Sequence, residues 1–376
     1  MAREGRAANY ELLRIVAMVM VVVMHFLARS ERMLALDEPF SSVRLAGSAL
    51  EAFCLVAVNV YVLISGYFGV RGRFRVGKAA GLLAQIWFYA LVIWAALTLA
   101  GVDTEASRLG VYGLIQYLFP IETEHYWFAT SYFMLYLLTP VLNAAVKNMP
   151  KKRLQVTLGC LFILFCGIKS VSPVVFAFDK YGYDLAWFVC VYLLAAYLGL
   201  YGWDFFEKRG WLIYGGSALL SLGINVIMWS LSRRSDSFRY YFTVPFHYNF
   251  IFSLTGALGL FYGFSRLKIK EGWMAGVIRK VWALSFGVYL LHEHVDLRDR
   301  WYECIRTIIN PGKEKGMIFF LWELVCSMII LFMAGVVIDW LRSKLFRLFG
   351  AMSRKTWFYK KLKEMDGAFA KSPAGK

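Results

Sequence analysis

Residues 10–26 read YELLRIVAMVMVVVMHF, a nearly unbroken apolar run that holds Glu11 and Arg14 near its start and His25 near its end. A helix needs roughly 20 apolar residues to cross a bilayer core, so this run and its flanks make one span. Ionisable groups at membrane depth are costly and turn toward a cavity or the bundle interior. At about 100° per residue, His25 comes back to within about 20° of the Arg14 direction, and Glu11 lies within about 40° of the same face. The three residues therefore form one stripe. Arg14 and His25 stand about 16 Å apart along the axis, too far to pair, but suited to the two ends of one long ligand. A blander reading competes with this one. In it, Glu11 and Arg14 form an interfacial i,i+3 pair with Arg14 reaching the headgroups, and His25 is a core histidine bonded to a backbone carbonyl.

The rest of the chain extends the membrane reading. Of 376 residues, 59% are hydrophobic and only 18% charged, with a mean hydropathy of +0.54; soluble proteins average about 25% charged. Apolar stretches fall near 10–28, 47–69, 79–101, 125–146, 154–172, 184–201, 211–231, 244–266, 281–297 and 316–341. These predict an all-α polytopic membrane protein with about ten transmembrane helices in one bundle. With the N-terminus inside, Lys and Arg favour the inner segments by roughly two to one, which predicts that both termini are cytoplasmic. The net charge of +17 then reflects inner loops facing anionic lipid, not a nucleic-acid partner. The basic flank MAREGR resembles a signal-peptide start, but Glu11, Arg14 and the weak cleavage cue after His25 favour a retained first helix. The expected organisation is a membrane domain over 1–345 and a basic cytoplasmic tail over 346–376. The six cysteines show no CxxC spacing and read as small apolar residues.

Three more segments carry polar groups into apolar surroundings: NVYVLISGYFGVRGRFR (Asn59–Arg75), HYWFATSYFMLYLLTPVLN (His125–Asn143) and LSFGVYLLHEH (Leu284–His294). Together with the opening helix, in this order, they resemble the membrane acyltransferases of the acyltransferase-3 type. The matching pieces are the Arg–His helix, the Ser-Gly-Tyr segment with its basic turn, the His-x-Trp-Phe segment and the Ser-Phe-Gly-x-Tyr-Leu-x-His helix. The basic turn departs from the two-residue arginine spacing frequent in that family, since it reads Arg71, Arg73, Arg75 and then Lys78.

The resemblance implies an O-acyltransferase of the cytoplasmic (inner) membrane. It would move an acyl group, commonly acetyl, from acyl-CoA to a hydroxyl of a cell-surface polysaccharide or a lipid-linked sugar. Phosphates favour guanidinium and ammonium partners, so Arg14, Arg71, Arg73, Arg75 and Lys78 are the expected CoA-binding groups. His25 is the expected general base, a role contributing about 10²–10⁴-fold; a covalent acyl-histidine is the alternative route. Asn59, Ser65, Tyr67, His125 and Trp127 are the expected substrate-binding residues, with tight helix packing the competing role for Ser65-Gly66 and interfacial anchoring that for Trp127. Glu51, Glu122, Glu124 and Asn59 are candidates to orient the His25 ring. His247 reads as structural. His292-Glu293-His294 lacks the i,i+4 spacing of a zinc-binding helix, and residues two apart on a helix do not face each other, so no metal is expected. The basic, aromatic segments 232–241 and 298–303 suit a glycan or a headgroup surface. A transporter or flippase is the other functional class, but it would show paired inverted halves, which this sequence does not display.

Overall fold

The computed structural model describes residues 8–353 and 356–370. The flank MAREGR and parts of the basic tail lie outside them. Among the described residues the chain is helical and holds no strand. Its helices are α1 (Ala8–Ser30), α2 (Ser42–Cys54), α3 (Ala57–Gly69), α4 (Val76–Leu99), α5 (Glu105–Leu109), α6 (Val111–Leu118), α7 (Trp127–Asn148) and α8 (Lys151–Phe162), which continues through a π-turn (Ile163–Ile168) into α9 (Lys169–Val171). Then follow α10 (Leu185–Tyr201), α11 (Asp204–Ser232), α12 (Arg239–Thr243), α13 (Ile251–Ser265), α14 (Trp273–His292), α15 (Trp301–Ile309), α16 (Met317–Ser353) and α17 (Trp357–Ala370).

Among the described residues, eight segments are long and apolar enough to cross a membrane, and α10 is a shorter apolar helix. The ten expected stretches all carry helix, with two clear changes of boundary. The stretch expected at 244–266 contracts to α13, because Pro245 and a 3₁₀ turn at Val244–Phe246 precede it. The stretch expected at 281–297 starts at Trp273 and stops at His292. Helix α16 runs through position 345, and α17 follows it as a docked helix.

Local chemistry sets the helix ends. The Ser41 hydroxyl accepts the Arg44 N–H at 3.2 Å and starts α2. The Asp184 carboxylate accepts the Trp187 N–H at 2.8 Å and starts α10, which ends at Gly202 with φ +68°. These groups satisfy backbone donors that have no partner inside the helix.

Helix α1 lies at the centre, against α2, α3, α13, α14 and α16. The Arg14 guanidinium lies 4.4 Å over the Trp282 ring, and His25 meets His292 at 2.7 Å. Contacts at both ends in the same order make α1 and α14 parallel neighbours. Gly66 permits the close crossing of α3 and α10, since a Cβ there would sit 2.6 Å from the Tyr192 carbonyl oxygen and 2.7 Å from Ala195 Cβ. On α16, the buried Asp339 carboxylate accepts bonds from Gln85 (2.9 Å), Tyr89 (3.1 Å) and both arms of Arg342 (2.7 and 3.0 Å). A buried charge is tolerated when it is this fully bonded, and removing one partner costs about 3–5 kcal/mol.

Candidate active site

A cavity of about 620 Å³ opens at the end of the bundle where α1 begins. Glu11 and Arg14 of α1, Ser65 of α3, and Tyr132, Tyr136 and Asn143 of α7 line it, with Arg73 and Lys78 from the turn into α4. Three cations thus converge on one concave surface. The Lys78 ammonium stands 4.9 Å over the Tyr136 ring, and Asn143 bridges the Gly69 carbonyl (3.0 Å) and the Tyr192 hydroxyl (2.9 Å). Arg71 and Arg75, expected in the same role, are not on the cavity wall. They alternate with Arg73 along a short irregular turn, and the Arg75 backbone is tied at both N–H and carbonyl to the Tyr136 hydroxyl (3.2 and 3.1 Å).

A second, small chamber of about 20 Å³ lies deeper and has His25 in its wall. Its other walls include Met18, Met24, Val58, Tyr61, Trp127, Phe128, Tyr248 and Tyr289. The two spaces stack along the same helices. Arg14 and Met18, Ser65 and Tyr61, and Tyr132 and Phe128 are each one turn apart, the first of each pair facing the cavity and the second the chamber. The turn between them is braced by Tyr61 donating to the Arg14 carbonyl (2.7 Å) and by the Ser65–Tyr132 hydroxyl pair (3.0 Å).

The bonding around His25 defines its tautomer. The His292 Nδ1 lies 2.6 Å from the Val288 carbonyl. A carbonyl only accepts, so this nitrogen carries the hydrogen, and a neutral His292 then offers its Nε2 lone pair. His25 Nδ1 lies 2.7 Å from that nitrogen and donates to it. The remaining lone pair of a neutral His25 is therefore on Nε2. Glu293 adds a carboxylate oxygen 3.3 Å from the same Nδ1, and this oxygen accepts no hydrogen bond. Burial raises the Glu293 carboxyl above the usual range, while the neighbouring His292 draws it back down. One turn beyond His25, Arg29 pairs with Asp299 at 2.5 Å.

Sequence reasoning missed His292 and Glu293 as partners of His25. It treated 292–294 as one helical stretch whose members cannot face one point. Helix α14 ends at His292, so Glu293 leaves the helical path and joins the cluster, while His294 turns away. His294 donates from Nε2 to the Ala90 carbonyl at 3.1 Å and accepts the Asp296 N–H at 3.2 Å. None of Glu51, Glu122, Glu124 or Asn59 bonds to the His25 ring. The donor atoms of His25, His292 and Glu293 lie within 4.8 Å of one another, a set able to gather round a cation. Two nitrogens on one tetrahedral zinc, with bonds of about 2.0–2.1 Å, would sit some 3.3 Å apart. The 2.7 Å separation here is that of two rings sharing a hydrogen.

The other expected substrate residues separate. Ser65 lines the cavity and Trp127 the chamber. Asn59 is wholly buried among α3, α10 and α13: it donates to the Tyr248 carbonyl (2.8 Å) and Ser253 (3.3 Å) and accepts the Trp187 indole N–H (2.9 Å). Tyr67 packs into an aromatic group with Tyr10, Phe68 and Phe261. His125 lies away from His25, buried against His294 at a ring distance of 4.6 Å. It donates to the Gln116 carbonyl (3.2 Å) and accepts the Val295 N–H (3.4 Å), and burial followed by His294 pushes its pKa down to about 2.

Comparison with known families matches residues 8–340 to the family described as an acyltransferase domain, of the acyltransferase-3 type. No curated protein and no solved structure matches the chain. The match covers most of the sequence, and the chain belongs to that family: it is a multi-pass membrane acyltransferase.

Proposed function

We propose that this chain moves an acyl group from acyl-CoA to a hydroxyl of a cell-surface polysaccharide or lipid-linked sugar, working in the cytoplasmic membrane with both termini inside. One observation carries the reading. A cavity lined by Arg14, Arg73 and Lys78 stacks directly beneath a small apolar chamber, and His25 stands in the chamber wall with its Nδ1 already committed. CoA has phosphates at one end and a thioester at the other, joined by a long arm, and it matches that polarity. The phosphates would meet the guanidinium and ammonium groups, with Arg14 nearest the arm.

In the reaction, His25 Nε2 accepts the proton of the acceptor hydroxyl as its oxygen attacks the thioester carbonyl carbon. The C–S bond breaks as the new ester bond forms, and the imidazolium returns its proton to the leaving thiolate. His292 holds the ring in the one tautomer that leaves Nε2 free. The Glu293 carboxyl, 3.3 Å from Nδ1, takes on more carboxylate character as positive charge develops on the ring, because opposite charges in a low-dielectric site stabilise each other. Such a preorganised base and counter-charge fit a general-base route without a covalent intermediate.

The test uses purified full-length protein in lipid nanodiscs with radiolabelled acetyl-CoA and a cell-envelope glycan extract. His25→Ala should abolish label transfer while CoA binding persists. Transfer at the native rate by that variant would remove His25 as the base, and failure of native protein to bind any CoA species would remove the donor.

A further inference from the structure

We propose that Glu51 of α2, with the rings of Tyr183, Tyr248 and Trp127, forms the acceptor subsite beside His25. It would take a sugar ring that lies against the aromatic faces and donates a second hydroxyl to Glu51. The proposal rests on the transfer reading above and adds the residues that select the acceptor. Glu51 has no part in the chemistry described so far, yet it is an ionisable group within a membrane-spanning segment, and such groups mark cavities and substrate paths. Its Oε2 is buried and accepts no hydrogen bond. A buried acceptor left unpaired is costly, and a ligand that donates to it removes the cost.

Helix packing fixes the depth of Glu51. Helix α1 and the α2–α3 segment run antiparallel: a Cβ on Gly47 would stand 3.4 Å from the Leu27 side chain, and Tyr61 donates to the Arg14 carbonyl at 2.7 Å. Glu51 lies one turn beyond Gly47, about 6 Å along the axis, which brings it level with Met24 and His25. Its carboxyl acts on two tyrosine hydroxyls. Burial raises the Tyr183 hydroxyl above its ordinary pKa and Glu51 raises it further; for Tyr248, burial, Tyr183 and Glu51 act in that order. The carboxyl and both hydroxyls therefore border one region. Tyr183 is 43% exposed, whereas Tyr248 and Trp127 line the chamber that His25 also lines. The Tyr183 ring lies 4.6 Å from Trp127 and 4.7 Å from Tyr248, and those two lie 5.8 Å apart. The rings thus lead from the surface to the base.

This aromatic wall is preorganised. At Gly182, with φ +83°, a Cβ would sit 2.8 Å from Tyr248 Cβ, so glycine permits the close approach. Tyr248 donates its N–H to the Tyr181 carbonyl at 3.0 Å and accepts the Asn59 amide at 2.8 Å. The Asp179 carboxylate pairs with buried Lys169 at 2.5 Å and accepts the Asn249 amide (2.9 Å) and the Tyr181 N–H (2.8 Å), which ties the two loops together. Rigid amphipathic rings suit the C–H faces of a sugar, and a carboxylate accepts hydroxyl hydrogens.

The experiment measures label transfer from acetyl-CoA to the envelope glycan extract by the full chain in nanodiscs, as a function of glycan concentration, with CoA titrated in parallel. Glu51→Ala should raise the glycan concentration at half-maximal rate about 10–100-fold, the range for losing a hydrogen bond to a carboxylate. Glu51→Gln, whose amide oxygen still accepts, should lose less. Tyr183→Ala should raise it severalfold or more, and Tyr183→Phe should lose less than Ala. CoA affinity should stay native throughout, since neither residue lines the donor cavity. Native half-saturation by glycan in well-inserted Glu51→Ala and Tyr183→Ala proteins overturns the subsite and leaves the transfer reading standing. So does a loss in Glu51→Ala that Gln does not reduce and that appears equally in CoA binding. If the native protein binds CoA but labels no glycan, the glycan reading falls and the subsite with it. Should Glu51→Ala fail to insert, the exposed Tyr183 pair decides the matter.

Discussion

Replacing His292 with Ala is the most demanding perturbation of the proposed site. His25 Nδ1 has two neighbours able to hold it, His292 Nε2 at 2.7 Å and Glu293 Oε1 at 3.3 Å. Loss of the first leaves the ring free to exchange tautomers or to turn toward the second. A catalytic imidazole held in the wrong tautomer loses up to about 10⁴ in kcat. Because Glu293 can take over part of the bond, the expected loss for His292→Ala is about 10²–10³ in kcat, or roughly 3–4 kcal/mol of barrier. The KM for acyl-CoA should hardly move, since His292 does not line the donor cavity. His292→Gln, whose amide oxygen can accept the same bond, should keep more activity than Ala. His292→Ala/Glu293→Gln should lose more than either single change, and not additively, because the two act on one proton. Initial rates of label transfer in nanodiscs, with thermal unfolding measured in parallel, give the answer. Native kcat in a well-inserted His292→Ala protein refutes the tautomer argument. So does a loss confined to KM, or one that follows a collapse in melting temperature with no rescue by Gln.

Asn59→Ala should lower stability by about 2–4 kcal/mol, because it leaves the Trp187 N–H and the Tyr248 carbonyl unpaired in the interior; unfolding midpoints should fall while donor affinity stays native. At the mouth of the cavity, Asp366 of α17 accepts the Gly77 N–H at 3.1 Å at the start of α4, and Phe369 packs on Phe74 at 4.9 Å. Asp366→Ala combined with Phe369→Ala should weaken CoA binding severalfold by loosening the turn that carries Arg73 and Lys78, a change that titration would detect. His125 and His294 are held neutral by burial, with pKa values lowered to about 2 and 4. Between those values and the ordinary 6.5 the unfolded chain binds more protons than the folded one, so stability is complete above 6.5 and falls as the pH drops below it. The melting temperature should decline from pH 6.5 toward 4, and less steeply in His125→Gln.

The sequence alone determined that this chain is a helical membrane protein, because the bilayer demands apolar runs of a fixed length and internal satisfaction of every backbone group. It also determined that Arg14 and His25 share a face, because helical periodicity is a local property that needs no neighbour. Ser65 and Gly66 were legible as a point of close approach, and the structure divides the work between them: Gly66 meets α10 while Ser65 faces the cavity. Partnership was not legible. His292 stands 267 residues from His25, and only the parallel packing of α1 and α14 brings the rings together. That α14 stops at His292, so that Glu293 joins the cluster and His294 leaves it, depends on how the following loop is held by Ala90 and by Asp296. The same limit applies to Arg71 and Arg75, which composition cannot distinguish from Arg73. Which side chains of an irregular turn face a cavity follows from backbone anchoring across the fold, and no periodic rule supplies it.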